Sequence, residues 1–342
     1  MKKLLTLFLA FAAVVFGSFG FASCGGKTEN TENLTVDVYA PDGAPALALA
    51  RLMDEEMKFG AATSYNVVPA TTIQTYVTGD QPAAELAVLP VNAAALLLGK
   101  GDKYQMLGVV THGNLFILSK STGAEIDPEN AAEILKGKKI GSLQLNNFVG
   151  FALRTVLNKY GVEYEIRQNK EETNDTQKAY LYEVAPTEIT PAAKFDYMIA
   201  AEPAVSAKVK GTEGKLKIAG NLQSLYGEKG YPQAVLAAKT EFIRNNAKYV
   251  SDFTAAVSAA ADWLTAEETT AERVVNAVSS HLPSGTTPSF NAKNLTREVI
   301  KNCAVRYETA ESAKKRVNAF LAEISTVTGK SFAVENEFFY MS

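Results

Sequence analysis

Cysteine is nearly absent from this chain: 342 residues carry two, Cys24 and Cys303. A disulfide-stapled fold is therefore excluded, and so is a cysteine-built metal cluster. Histidine is as scarce, with His112 and His281 alone. Two imidazoles in unrelated contexts do not make the ligand sets that zinc or manganese sites need. They also leave few bases for nucleophilic catalysis, and no G-x-S-x-G elbow is present. A basic stripe is missing too. The 34 Lys and Arg are outnumbered by 37 Asp and Glu, for a formal charge of -3, and a nucleic-acid partner would want a concentrated positive surface. The expectation is a protein that is not an enzyme, holds no metal or cofactor, and does not bind nucleic acid.

What is present is apolar and long. With 47% hydrophobic and 21% charged residues the composition is that of a globular protein with a large core, and the length allows roughly two domains. The N-terminus stands apart. Lys2 and Lys3 precede the apolar run Leu4 to Phe16, and the small residues of "FASCGG" surround Cys24. This is the pattern of an export signal over residues 1–23. Phe21-Ala22-Ser23-Cys24 resembles a bacterial lipoprotein cleavage site with Phe where Leu is usual, so Cys24 is the expected lipidation point. An uncleaved anchor is the alternative, since Leu4 to Ala22 is about long enough to span a bilayer, but glycines, serines and a polar tail weigh against it. Residues 24–33 then form a lipidated cysteine and a flexible tether, whose "GGKTENTEN" reaches at most about 30 Å.

Beyond the tether one pattern recurs four times. "NLTVDV" alternates like a half-buried strand, and "YAPDGAPALALA" breaks into a helix in which Asp42 or Gly43 is placed to cap and Pro45 suits the first turn. "ELAVLPVNAAALLLGKG", "KKIGSLQLNNFVGFALRTVLNKYG" and "FDYMIAAEPAVSAKV" repeat strand, turn and helix. Such units imply parallel sheet, because parallel strands need crossover connections. Ligands bind beyond the carboxyl ends of such strands, where helix N-termini offer unpaired amides and partial positive charge to an anionic or strongly polar group. The units fall as two pairs, 34–117 and 138–210, which predicts two lobes. The chain is expected to cross near Lys120 and return near Tyr231, giving one lobe from 34–119 and 233–342 and another from 120–232. Apolar spacing predicts helices over Val250–Leu264, Ala271–His281, Leu295–Cys303 and Ala310–Thr328, completing the first lobe, with Trp263 in its core.

The segments "APDGAPALALARL", "AELAVLPVNAAALLLGKG", "YQMLGVVTHGNLFILSK", "LKGKKIGSLQLNN", "DYMIAAEPAVSAKV", "YPQAVLAAKTEFI" and "ENEFFY", in this order, resemble a type II periplasmic binding protein. The branch resembled is that of ABC-transporter substrate-binding lipoproteins for sulfonate, taurine, nitrate and thiamine-pyrimidine precursors. The resemblance implies an α/β fold of two lobes, mostly parallel sheets flanked by helices, closing on a small organic or oxyanion solute. It implies a permease and its ATPase subunits as partners, a monomer, and a membrane tie through the lipid. The place would be the outer face of the cytoplasmic membrane, or the periplasm or cell envelope. A sensor or adhesion lipoprotein on the same scaffold is the alternative.

Carried over by position, the ligand-binding residues would be Asp42, Gly43 and Ala44, then Thr71 and Thr72, then Pro90, Val91 and Asn92. Thr111, His112 and Asn114 follow at the crossing. The second lobe would add Gln144, Asn146, Asn147, Phe148 and Glu202, with Tyr231 near the return. Each has another reading: Asp42, Asn92 and Asn147 suit helix caps, His112 a buried histidine, Phe148 core filling. Glu202 is either a cap or a carboxylate that repels anions, and Arg154 is expected to be solvated or paired.

Overall fold

The computed structural model describes residues 35–169 and 176–341. The signal, the tether and Cys24 lie outside the described residues. Twelve strands are described, and they sort into two six-stranded sheets. The first lobe holds β1 (Thr35–Pro41), β2 (Ala62–Val68), β3 (Leu86–Pro90), β4 (Tyr104–Thr111), β11 (Ala234–Lys239) and β12 (Val305–Thr309), in the order β12-β4-β11-β3-β1-β2. The second lobe holds β5 (Leu115–Lys120), β6 (Lys139–Ser142), β7 (Tyr164–Ile166), β8 (Ala179–Glu183), β9 (Tyr197–Ala201) and β10 (Leu216–Asn221), in the order β10-β5-β9-β6-β8-β7.

Both sheets are mixed. The strand-turn-helix units supply the parallel pairs, β1 with β2 and β3, and β6, β7, β8 and β9 among themselves. The expected mostly parallel character stops there: β5 runs antiparallel to β9 and β10, β11 to β3 and β4, and β12 to β4. The reason is connectivity. β5 and β11 are entered straight from the other lobe, with no crossover helix beside them, and are free to insert in the opposite direction; β12 instead follows the helix Arg297–Asn302 within its own lobe and pairs at the sheet edge.

The first crossing falls earlier than expected. Leu115–Lys120 is hydrogen-bonded between β9 and β10, so the chain changes lobe at residues 112–114 and not near Lys120. The return runs from Gly227 to Gln233, between the helix Leu222–Tyr226 and β11. The two crossings pack on each other. A Cβ on Gly113 would sit 3.0 Å from the Tyr231 ring of the return crossing and 2.7 Å from Gln223 Cβ of the helix before it, and one on Gly230 would sit 2.0 Å from the His112 carbonyl oxygen. Only glycine fits at either place, and both also adopt positive φ.

Helix boundaries follow local chemistry. The first helix is one turn, Ala44–Leu47, followed by Ala50–Asp54. The predicted helix Val250–Leu264 is two, Ala247–Ser258 and Ala260–Thr265, and the predicted Leu295–Cys303 shortens to Arg297–Asn302, because Thr296 caps it by accepting from the Val299 amide at 3.2 Å. Ala310–Thr328 is as predicted, capped by Thr309 and ended by Gly329 in the left-handed conformation. Trp263 and the fully buried Cys303 lie in one apolar core with β1 and β2 of the first lobe. A second core is continuous between the lobes and joins Val235 of β11, Ile117 of β5, Phe148 and Phe320. Burying each such aromatic contributes about 1.5–3 kcal/mol, so the lobes are held by packing as well as by the chain. Among the described residues no helix is long and apolar enough to cross a membrane.

Candidate functional site

A cavity of about 270 Å³ lies where the two lobes meet. It opens at the carboxyl ends of β1, β3 and β9 and at the start of β5, where the parallel topology places a ligand. Eight of the expected residues line it: Asp42, Gly43, Ala44, Pro90, Asn114, Gln144, Phe148 and Glu202. The other nine do not.

At the first turn Gly43, with φ 103°, and not Asp42, is the helix N-cap. Asp42 works as a tie. Its Oδ1 accepts from its neighbour Gly43 N at 2.8 Å, and its Oδ2 accepts from Ser289 N at 2.7 Å, fixing a distant loop onto the cavity rim. Thr71 is exposed, and the Thr72 hydroxyl turns back to the Pro69 carbonyl at 3.0 Å; their neighbour Ala70 lines the wall instead. Val91 packs in the core, and its amide donates to the Gln233 carbonyl at 2.9 Å. Asn92, one residue inside its helix, caps nothing: its Nδ2 reaches Asn147 Oδ1 in the other lobe at 3.3 Å. Asn147 is a cap, accepting from Phe148 N at 2.8 Å, and Asn146 is exposed beside it.

The crossing residues divide. Thr111 and His112 are buried away from the cavity, whereas Asn114 forms its back wall. Asn114 Nδ2 donates to the Glu202 carbonyl and its Oδ1 accepts from Gln233 Nε2, both at 2.7 Å, so one side chain links the outgoing crossing, the returning one and the end of β9. His112 is 1% exposed, with Nε2 at 3.2 Å from the Arg306 carbonyl oxygen. A carbonyl can only accept, so Nε2 carries the proton and Nδ1 is bare. Glu308 stands 3.8 Å from Nδ1, too far for a hydrogen bond, and is itself held by Arg316. Burial, with Arg306 and Arg316 nearby, pushes the imidazole pKa down to about 3. Tyr231, also fully buried, stacks on Phe320 at 5.4 Å and does not reach the cavity.

From the second lobe Phe148 lines the cavity and packs its ring against that of Tyr231, with centroids 6.0 Å apart, so it is both wall and core. Arg154 is neither solvated nor salt-bridged: it is buried and donates to the carbonyls of Gly150, Leu145 and, in the first lobe, Val327. Glu202 is 2% exposed. Its carboxylate accepts from the Ser206 amide at 3.0 Å, from the Ser206 hydroxyl, and from Asn302 Nδ2 of the first lobe at 3.4 Å. It is thus both a cap and part of the wall.

The cavity also takes Pro41, Pro45, Ala70, Leu115, Val149, Ala201, Pro203, Ala204, Gln233, Ala234 and Ser289. Most flank turns that the strand-turn-helix pattern marks, and a wider window around each turn would have included them. Ser289 carries no local signal. Among the described residues no cluster of His, Cys, Asp and Glu is suited to a metal ion.

Two mixed α/β lobes joined by short crossings, with a cavity between them at the strand ends, define the type II periplasmic-binding-protein fold. Residues 83–271 match the family model described as NMT1/THI5 like, and the chain belongs to that family. The fold is similar to that of an ABC transporter structure from Parabacteroides distasonis, with 19% identity and a TM-score of 0.68 over 90% of this chain and 99% of that one. It is similar to the alkanesulfonate-binding protein SsuA of Xanthomonas axonopodis pv. citri bound to MOPS, with 14% identity and a TM-score of 0.56 over 91% and 99% of the two chains. The periplasmic aliphatic sulphonate binding protein SsuA of Escherichia coli gives 14% identity and a TM-score of 0.58 over 90% and 94%. No curated protein matches the sequence. At these identities the structural likeness is one of fold.

Proposed function

We propose that the protein is the extracytoplasmic solute-binding component of an ABC importer, capturing a small organic or oxyanion solute between its lobes and delivering it to a permease driven by ATPase subunits. The observation that carries this reading is the cavity of about 270 Å³ walled by both lobes, with both crossings at its back. Family membership and the fold shared with sulfonate-binding SsuA proteins support it. Asp42, Gly43, Ala44, Pro90, Asn114, Gln144, Phe148 and Glu202 are the proposed contact residues. Capture proceeds by hinge closure about residues 112–114 and 227–233, a motion of the kind that buries ligands in two-lobed proteins. Lipid on Cys24 and the tether behind it keep the body near the membrane that holds the permease.

Thermal unfolding of the purified protein tests this reading, against alkanesulfonates, taurine, nitrate, aminopyrimidines, amino acids and divalent metals. Linkage gives about 2.7 kcal/mol of stabilisation at a hundredfold excess over the dissociation constant, a rise of several degrees in Tm. A large shift confined to one chemical class is the expected result. No shift with any class, in protein shown by native mass spectrometry to be ligand-free, removes the importer reading and favours a sensor or adhesion role.

A further inference from the structure

The apolar packing between the lobes is continuous on one side of the molecule and interrupted on the other. Each sheet has two faces, and among the described residues three apolar clusters cover them. One cluster runs through both lobes. A second, with Trp263 and Phe290, stays within the first lobe, and the third, with Tyr182 and Val205, stays within the second.

The continuous side is built on the helices Phe148–Lys159 and Ala310–Thr328. Phe320 is fully buried, and its ring centroid lies 6.2 Å from that of Phe148 and 5.4 Å from those of Tyr226 and Tyr231, so it meets the second lobe and the return crossing together. Past the helix end Phe332 packs on Phe151 at 5.9 Å, and the Val327 carbonyl accepts from Tyr164 Oη at 3.2 Å as well as from Arg154. The tail then returns to the first lobe, where Glu335 N donates to the Gly99 carbonyl at 2.7 Å and Tyr340 N to the Met106 carbonyl at 2.9 Å. Parting the lobes here would expose buried aromatic rings to water.

The interrupted side has no such packing. The helix Ala204–Gly211 buries only Val205, toward its own lobe, and the segment 283–296 buries Phe290 and Leu295 toward the other. What crosses there is polar: Lys210 Nζ donates to the Lys293 carbonyl at 3.2 Å, and Asn302 Nδ2 to Glu202. Ala204 and Ser289, one from each lobe, are exposed and line the cavity on this side. We infer that the lobes swing about the seam between the helices Phe148–Lys159 and Ala310–Thr328, that the mouth opens between the helix Ala204–Gly211 and the segment 283–296, and that the Lys210 ammonium on the Lys293 carbonyl is its latch. This rests on the proposed two-lobed capture and adds the direction of its motion.

Double electron–electron resonance between paired spin labels tests this on the whole protein, shown by native mass spectrometry to be ligand-free, with Cys24→Ser so that the label goes to introduced cysteines, Cys303 being buried. Labels on Lys215 and Lys301 span the mouth, and labels on Asn158 and Ala322 span the seam; all of these positions are exposed. The expected result is a distance distribution for the mouth pair that extends well beyond its bridged value, beside a single narrow one for the seam pair. Lys210→Ala should raise the fraction at long mouth distances roughly two- to tenfold, since an exposed charged hydrogen bond is worth less than a buried one, and Lys210→Arg, which can still donate, should keep it near the wild-type value. A seam pair as broad as the mouth pair overturns the one-sided motion and leaves two-lobed capture standing. An unchanged long-distance fraction in Lys210→Ala overturns the latch. Two narrow distributions would mean that the ligand-free lobes do not part, and would overturn this inference and the proposed closure together.

Discussion

His112 spends its polar chemistry inside the protein. Its Nε2 is committed to the Arg306 carbonyl, its Nδ1 has no hydrogen-bond partner, and its pKa lies at about 3 against an ordinary 6.5. Between those values the unfolded chain binds a proton that the folded chain refuses. Stability from this group is therefore present above pH 6.5 and is lost as the pH falls from 6.5 toward 3. Urea unfolding at pH 7 and at pH 4.5 is expected to show a larger loss for the wild type than for His112→Gln, because the carboxylates common to both cancel in the comparison. Equal losses would mean that the imidazole is charged or solvated in the folded state. A buried histidine is one of the two readings the sequence leaves open for His112, and the local pattern does not choose between them. Strands covered on both faces do not alternate, so "YQMLGVVTHGN" gives no hint that Thr111 and His112 turn inward while Asn114 turns to the cavity.

The helix Phe148–Lys159 is the element on which most of the geometry turns. Its N-terminus borders the cavity, its cap Asn147 reaches Asn92 across the lobes, and Arg154 on its buried side donates to Val327 of the facing helix Ala310–Thr328. Asn147→Ala should cost about 1 kcal/mol in stability for the lost cap. A double-mutant cycle of Asn92→Ala and Asn147→Ala should give a coupling of about 0.5–1.5 kcal/mol, the net worth of a single hydrogen bond, measured by denaturant unfolding. Zero coupling would leave Asn147 a cap and nothing more. At this scale the sequence was most readable. Period-two and period-3.6 patterns, with Pro and Gly as punctuation, place β6 at Lys139–Ser142 and the last long helix at Ala310–Thr328 as observed. Lobe membership was harder to read, since "NLFILSK" looks the same whether its partners are β9 and β10 or strands of the first lobe. Ser289 shows the limit: 247 residues from Asp42, it joins the cavity rim through a backbone amide that no local pattern announces.

At the scale of the molecule, two sheets of six strands meet in a state bridged from lobe to lobe. Asn92 reaches Asn147, Asn302 reaches Glu202, and Lys210 Nζ donates to the Lys293 carbonyl at 3.2 Å. Only the first of these is neutral, worth about 0.5–1.5 kcal/mol; the other two involve the Glu202 carboxylate and the Lys210 ammonium and are worth up to about 3 kcal/mol each, so under the proposed closure a solute that touches both walls would add to a bridging of comparable size. The crossings at Gly113 and Gly230 are the narrow places about which such a change would turn. The proposed closure is tested most directly by small-angle X-ray scattering of the protein, ligand-free and then saturated with the compound that raises its unfolding temperature. A smaller radius of gyration in the saturated protein, with the bridged arrangement fitting that curve and a more open one fitting the other, is the predicted result. Superimposable curves at saturation, in protein first shown to be free of copurified ligand, would contradict the claim that the lobes close on their solute.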